Sequence, residues 1–213
     1  MFTIISLLYA QYIFRRTSWQ GKINNLIKLD LCFSGVKKSH LSRLTDLPVL
    51  EELNLDSCPI GDWEISHLAE NNVMPNLTSL NLSDTDLTDV GIVHLQKFRK
   101  ITRLSLFYCN ISDAGLQHLS QMALLEVLNL DSREISDDGL FHLLELNHLK
   151  SLDVFSGRIT DAGCSHIAQF KSLENLELCG GGITNCGKII IYFNLFGFIF
   201  NLISLYVYIF CYL

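Results

Sequence analysis

Five histidines recur at one position of successive segments of the chain: His67, His94, His118, His142 and His166. Because imidazole is a common ligand of transition metals, such a row raises the question of metal binding. Packed helices lie about 8–10 Å apart, whereas the ligands of one zinc ion each lie about 2 Å from it. Each histidine also directly precedes an aliphatic residue, as in His94-Leu95. We therefore predict that these histidines cover the boundary of a helix and that the chain has no metal site.

Residues 182–188 match G-x-x-x-x-G-K, the pattern of a loop that binds the phosphates of a nucleotide. In that pattern a serine or threonine follows the lysine and binds Mg²⁺, but this position is Ile189. Gly187 also aligns with Gly163 of the preceding repeated segment, which explains it without a nucleotide. A nucleotide-binding enzyme is therefore only a remote alternative. We predict a chain that is not an enzyme, with no catalytic residue and no cofactor.

The seven cysteines are odd in number and show no C-x-x-C spacing, so they indicate neither a closed disulfide framework nor a zinc ribbon. Cys58 and Cys109 fill one repeated position, and Cys32 and Cys179 fill another. This pattern is typical of small packing residues in a reducing compartment. We expect the protein in the cytoplasm or the nucleus.

The composition is that of a globular chain, with 49% hydrophobic and 18% charged residues. All 22 acidic residues and all but four of the 16 basic residues lie within residues 26–187, which leaves that segment a formal charge of −10. Neutralisation of nucleic-acid phosphates requires the opposite sign. We therefore exclude nucleic acid as a partner.

The positions of these residues follow from a repeat with a period of 24 residues. The template L-x-x-L-x-L occurs seven times, and only the second interval differs, at 27 residues; the copies begin at Leu26, Leu50, Leu77, Ile101, Leu125, Leu149 and Leu173. Its L-x-L part alternates apolar and polar residues, which predicts a strand with one buried face.

The second half of each unit predicts a helix. Serine or threonine stands before aspartate at the predicted start, as in Thr88-Asp89, and a hydroxyl at this position caps the helix. Apolar residues three apart, such as Ile92 and Leu95, then form a stripe that can pack on the strands. Units of one strand and one helix bury both apolar faces only by stacking on one another.

These units resemble leucine-rich repeats of the intracellular, cysteine-containing type, L-x-x-L-x-L-x-x-C/T-x-I-[ST]-D-x-G-L-x-x-L. Cys58, Thr85 and Cys109 stand at the C/T position, whereas Arg133, Gly157 and Gly181 replace it later. The resemblance covers residues 26–187 and implies an α/β fold, a right-handed solenoid or horseshoe with a concave parallel sheet and convex helices. Similar repeats occur in F-box proteins that recruit substrates to ubiquitin ligases and in plant proteins of unassigned role. Residues 1–25 are too few for an F-box.

In such a fold the polar residues beside the leucines face the concave side. We predict a non-catalytic scaffold that binds proteins there, with a substrate-recognition role in ubiquitin ligation as what the resemblance implies. The face is mostly acidic, and two phenylalanines in one column resemble interface anchors, so the expected partner has a basic, partly apolar surface. The predicted binding residues are Glu52, Asn54, Asp56, Asn81, Arg103, Ser105, Phe107, Asn129, Asp131, Asp153, Phe155 and Glu177.

The two ends do not share this pattern. The recognisable solenoid ends at Gly187 with an incomplete seventh unit, and residues 188–213 form an apolar tail with no charged side chain after Lys188. About 20 apolar residues suffice to span a bilayer. Residues 189–213 are therefore either a membrane anchor, with the repeats facing the cytoplasm, or translated non-coding sequence. Residues 1–25 are an apolar cap of the first repeat, a short inserted segment, or an error of the same kind.

Overall fold

A single parallel sheet runs through the molecule in chain order. The computed structural model describes residues 4–5, 24–36, 38–41, 44, 47–131, 134–156, 158–179, 182–188, 191 and 206–210. The strands are β1 (Ile4–Ile5), β2 (Lys28–Asp30), β3 (Glu52–Asn54), β4 (Ser79–Asn81), β5 (Arg103–Phe107), β6 (Val127–Asp131), β7 (Ser151–Phe155), β8 (Asn175–Cys179) and β9 (Tyr206–Phe210). Each strand from β2 to β8 pairs with the strands before and after it, as a solenoid requires.

A helix follows most of the strands and lies on one side of the sheet. The helices are α1 (Lys38–Leu41), α2 (Asp62–Glu70), α3 (Asp89–Leu95), α4 (Asp113–Leu119), α5 (Asp137–His142) and α6 (Asp161–Ile167), with a short 3₁₀ turn at Leu143–Glu145. Each helix from α2 to α5 contacts the next one along the chain. The predicted fold, a parallel sheet backed by helices in a solenoid, is confirmed.

Equivalent residues of successive units pair with each other. Leu104 of β5 pairs with Leu128 of β6, and Leu128 pairs with Leu152 of β7. Both leucines of each L-x-L segment in β5 and β6 are buried, while the residue between them is partly exposed. The aliphatic residues of the helices, such as Leu116 and Leu119, are also buried. The strand layer and the helix layer therefore enclose one continuous apolar core.

The predicted helix caps are present in four units. The hydroxyl oxygens of Thr88, Ser112, Ser136 and Thr160 each accept a hydrogen bond from the backbone N–H two residues later. The capped N–H groups would otherwise lack a partner at the helix start. The sequence pattern thus located the beginning of α3 to α6 correctly.

The aspartate that follows each cap joins its unit to the next one. Asp89 Oδ1 accepts a hydrogen bond from the N–H of Ser112 at 2.9 Å, and its Oδ2 accepts one from the Ser112 hydroxyl at 2.5 Å. The same two bonds link Asp113 to the next cap, Ser136. A Cβ on Gly115 would overlap the Asp89 carboxylate, so glycine is needed for this close approach. The sequence pattern did not reveal this bridge between units.

The repeat continues beyond the predicted boundary at Gly187. Residues 185–188 are helical, and Ile191 is fully buried in the same core. Ile191 follows Ile167 by one 24-residue interval, so it occupies the position of an inward helix residue. The seventh unit is therefore more complete than the sequence analysis predicted.

Most of the two apolar ends lies outside the described residues. Ile4–Ile5 pairs with β2, and Tyr206–Phe210 pairs with β8, both in parallel. Within the described part of the chain, no helix combines the length and apolarity that a bilayer crossing needs. The later replacements Arg133, Gly157 and Gly181 also lie outside the described residues.

Candidate protein-binding face

The face of the sheet directed away from the helices, which we call the concave face, carries aligned columns of residues. The first column is Lys28, Glu52, Ser79, Arg103, Val127, Ser151 and Asn175. The middle column is Asp30, Asn54, Asn81, Ser105, Asn129, Asp153 and Glu177. In β5 to β8 the last column is Phe107, Asp131, Phe155 and Cys179. The predicted columns therefore exist in the predicted register.

Two basic residues neutralise one acid at the amino-terminal end of this face. Lys28 Nζ lies 2.9 Å from Glu52 Oε1, and Arg103 Nη2 lies 3.3 Å from the same oxygen. Arg103 Nε also donates a hydrogen bond to Ser79 Oγ at 3.4 Å. Exposed pairs of this kind contribute only about 0–1 kcal/mol each to stability. Their main effect is to leave this end of the face with little net negative charge.

Two asparagines of the middle column have structural contacts. Asn54 Oδ1 accepts a hydrogen bond from the Asp56 N–H at 3.1 Å, and Asn81 Oδ1 accepts one from the Ser83 N–H at 3.0 Å. These bonds satisfy the backbone where the short strands β3 and β4 end. The side-chain NH₂ groups of Asn54 and Asn81 make no hydrogen bond with a residue that the structure describes. Ser105 Oγ lies 2.9 Å from Ser83 Oγ.

Negative charge collects at the carboxyl-terminal end of the concave face. An open cavity of about 360 Å³ is lined by residues of β6 to β8: Asn129, Ser151, Leu152, Asp153, Asn175, Leu176 and Glu177. None of the ion pairs among described residues includes Asp153 or Glu177. Burial, and then the charges of Glu177 and Asp131, raise the pKa of Asp153 to about 6. The fold therefore holds a carboxylate where its negative charge is disfavoured.

The last column carries the two phenylalanines on the same face of the sheet as this cavity. Phe155 is 39% exposed, whereas Phe107 is half-buried and its ring meets the ring of Tyr108 edge-on at 5.3 Å. Asp131 pairs with both phenylalanines in the sheet and is only 8% exposed. Asp131, which the sequence predicts as a binding residue, therefore offers little of its own surface to a partner. Its charge acts on the face through Asp153.

Tyr108 is a surface residue that the sequence analysis missed. Its side chain is 69% exposed and its backbone has φ 57°, a conformation uncommon for residues other than glycine. Phe33 has the same conformation at the same repeat position and is 70% exposed. The signal was present in the sequence, since Phe33, Ser57, Asp84 and Tyr108 recur with the repeat. The predicted columns ended one residue too early to include it.

Cys58 and Cys109, which occupy the same position of their repeats, have structural contacts. Cys58 Sγ donates to the Leu31 carbonyl and Cys109 Sγ to the Leu82 carbonyl, each at 3.1 Å. Burial raises the pKa of Cys109, and a hydrogen bond with the Asp30 carboxylate raises the pKa of Cys32 to about 11. Neither thiol is activated as a nucleophile, since the thiolate is the reactive form. Among the described residues, no three side chains of the metal-binding types come together.

The fold and these units define a solenoid protein with an exposed sheet face, and sequence comparison agrees. The Leucine Rich repeat family model matches residues 47–62, 73–95, 99–120 and 145–168. Four segments of the chain thus match leucine-rich repeats, and the fold is that of a leucine-rich repeat solenoid. Proteins with such repeats generally mediate protein–protein interactions and are typically not catalysts. No curated protein sequence matches the chain significantly.

Two bacterial proteins with solved structures share the fold. Internalin C2 from Listeria monocytogenes is 25% identical, with a TM-score of 0.62 over 76% of this chain and 65% of the internalin chain. An internalin F from the same organism is 21% identical, with a TM-score of 0.59 over 83% of this chain and 62% of the internalin chain. This chain therefore spans slightly less than two thirds of each internalin chain.

Proposed function

We propose that the protein is a non-catalytic binding module whose concave face captures a basic, partly apolar segment of a protein partner. The observation that carries this proposal is the cavity of Asp153 and Glu177 together with the exposed Phe155, which follows Asp153 by two residues on the same face of β7. Charged and aromatic groups in this arrangement match the anchors of protein interfaces. The other end of the face, where Glu52 is paired, supplies polar contacts of little net charge.

The electrostatics of the cavity predict the charge of the partner. A lysine or arginine placed in the cavity would offset the mutual repulsion of Asp153 and Glu177, which the raised pKa of Asp153 reflects. The partner's cation would therefore form an ion pair, and this pair would reduce the repulsion between the two carboxylates. An apolar side chain of the same segment would cover Phe155.

A peptide-display library screened against the full chain tests this proposal. Selected peptides should contain lysine or arginine next to an aromatic or aliphatic residue. The double variant Phe107→Ala/Phe155→Ala should weaken their binding at least about tenfold, as loss of interface anchors does. Fluorescence anisotropy with a labelled selected peptide measures the effect.

Phe141→Ala is the matched control, because Phe141 is 57% exposed but lies on the helix α5, on the opposite side of the molecule. This control should bind the peptide as the wild type does. Selection of acidic peptides, or equal losses in the control and in the double variant, would refute the proposed binding face.

A more specific role is substrate recognition in ubiquitin ligation. Its support is the resemblance of residues 26–187 to the repeats of F-box proteins. Proximity labelling in cells should recover ubiquitin-ligase subunits with both the wild type and Phe107→Ala/Phe155→Ala, but substrates only with the wild type. Absence of ligase subunits in both samples would argue against this role.

The location of the protein is a further part of the proposal. We place the repeats in the cytoplasm or the nucleus, where the cysteines stay reduced. A membrane-tethered interaction protein is the second candidate, because residues 189–213 contain no charged side chain. Alkaline carbonate should release the protein from membranes in the first case and leave it in the pellet in the second.

The transcript across the codons for Gly187 and Lys188 tests whether the apolar tail is translated non-coding sequence.

A further inference from the structure

The one irregular interval of the repeat creates a second cavity, away from the concave face. The unit that begins at Leu50 has 27 residues instead of 24, and its helix α2 has nine residues where α3 has seven. Two of the three additional residues lengthen α2, and the third lies in the loop after it, where Asn72 adopts φ 47°. This loop and the shorter loop of the next unit line an open cavity of about 460 Å³, a volume within the usual range of ligand sites.

Three basic residues of one short loop line this cavity: Lys97, Arg99 and Lys100. They reverse the local charge of a protein whose formal net charge is −6. One acid, Glu70, lies 3.7 Å from Lys97, and both side chains are about half exposed. Exposed pairs at this distance are weak and are readily exchanged. The cavity therefore keeps a net positive charge.

These cations are available to a ligand. Lys100 Nζ donates one hydrogen bond, to Asn76 Oδ1 at 2.5 Å, and keeps two further donor hydrogens. The Arg99 side chain is exposed and makes no hydrogen bond or ion pair with a described residue. Arginine can bind a carboxylate through two parallel hydrogen bonds. Phe98, Met74 and Ala69 form an apolar floor beneath the charged rim.

The surroundings favour carboxylates over phosphates. Phosphate sites commonly use the backbone N–H groups at a helix start, whereas this cavity lies beside the carboxyl end of α2, whose carbonyl groups carry partial negative charge. Glu70 adds its own negative charge. The repulsion is therefore strongest for a ligand such as phosphate, which carries more than one negative charge on one group. A carboxylate carries only one negative charge. Carboxylates that are spaced along a peptide can therefore each reach a separate cation with less repulsion.

We propose that the cavity between Asn72–Pro75 and Lys97–Lys100 binds a short acidic peptide segment of a protein partner, with its carboxylates on Arg99 and Lys100 and one apolar side chain on the floor. This site is independent of the concave face. One partner with segments of opposite charge, or two partners, can therefore be held at once.

The experiment measures fluorescence anisotropy of a labelled peptide of glutamates with one leucine, added to the full chain. The wild type should bind this peptide, and Arg99→Glu/Lys100→Glu should weaken binding at least about tenfold, as loss of charge-assisted hydrogen bonds does. Arg99→Gln/Lys100→Gln should also weaken it, with no reversal of charge that could disturb folding. Circular dichroism checks the fold of each variant.

Lys171→Glu is the matched control. Lys171 lies three repeats beyond Arg99 at the same repeat position, and it is also exposed. This control should bind the peptide as tightly as the wild type. Failure of the wild type to bind, an equal loss in the control, or tighter binding of an RNA oligonucleotide at the same residues would overturn the proposal. Phe107→Ala/Phe155→Ala should leave this binding unchanged, which separates it from the concave face.

Discussion

At the scale of single residues, the chemistry of the concave face depends on which carboxylates the sheet brings together. Asp153 lies between Asp131 and Glu177 in space, although the three residues are more than twenty positions apart in the chain. Partial burial and like charge both favour the protonated form of a carboxylic acid. A cation near Asp153 would therefore stabilise its ionised form. The buried Asp131 adds to the negative potential at this position.

Replacing Asp153 by Asn tests this environment through the pH dependence of stability. The folded protein binds the Asp153 proton more tightly than the unfolded chain, because the pKa is raised from 3.8 to about 6. Ionisation therefore destabilises the fold as the pH rises through this interval. Asp153→Asn should be more stable than the wild type at neutral pH by about 1 kcal/mol, a figure reduced for solvent screening of this half-buried group.

The gain from Asp153→Asn should disappear near pH 4, where Asp153 of the wild type is protonated in the folded state. Urea denaturation at a series of pH values measures it. Asp138→Asn, which removes an exposed carboxylate from α5, is the control for a general effect of net charge. A gain from Asp153→Asn that is equal at all pH values would contradict the assigned environment.

At the scale of the elements, the bridges between successive helices explain why glycine occurs inside them, which helix propensity alone would not predict. Glycine lies inside the first turn of α3 to α6, although it is a poor helix former. Each of these glycines lies against the aspartate carboxylate of the preceding helix. Thr184 makes the same bridge to Asp161, and its hydroxyl hydrogen bond lowers the pKa of that carboxyl group. Helix packing therefore depends on a polar contact as well as on the apolar stripe.

A double-mutant cycle on Asp89 and Gly115 tests the bridge. Gly115→Ala should lower stability by about 1–3 kcal/mol, because the new methyl group would overlap the Asp89 carboxylate and lie 2.8 Å from the Ile111 side chain. Helix propensity alone predicts a gain of about 1 kcal/mol. Asp89→Ala should cost about 2 kcal/mol through its two lost hydrogen bonds.

In the Asp89→Ala background, most of the cost of Gly115→Ala should vanish, since the carboxylate is gone. Chemical denaturation of the four proteins measures the coupling energy. Strict additivity of the two substitutions would show that the glycine does not serve this close approach.

At the scale of the whole molecule, stability should vary along the stack. Each described unit contacts mainly the units before and after it, so a central unit can open only after its neighbours separate. Hydrogen exchange should accordingly be slowest in β5 and β6, at Leu104 and Leu128, and faster at Leu29 of β2. Mass spectrometry of exchanged and digested protein measures these rates. A uniform rate along the stack would instead indicate one cooperative unit.

The repeat pattern was sufficient to predict the architecture and much of the candidate site. Leucines at a regular period must all face one interior, so their spacing predicts the strands, the columns of the concave face and the capped helix starts. The same reasoning could have extended the last unit to Ile191, which keeps the period, and the surface to Tyr108.

Only the tertiary structure decided how neighbouring units modify each other. The burial of Asp131, the raised pKa of Asp153 and the contact of Asp89 with Gly115 all join residues of different units. The cavity beside Arg99 likewise needs residues from the loops of two successive units. A linear pattern describes each unit by its own residues, whereas solvent exclusion, charge repulsion and steric contact depend on distances across the stack.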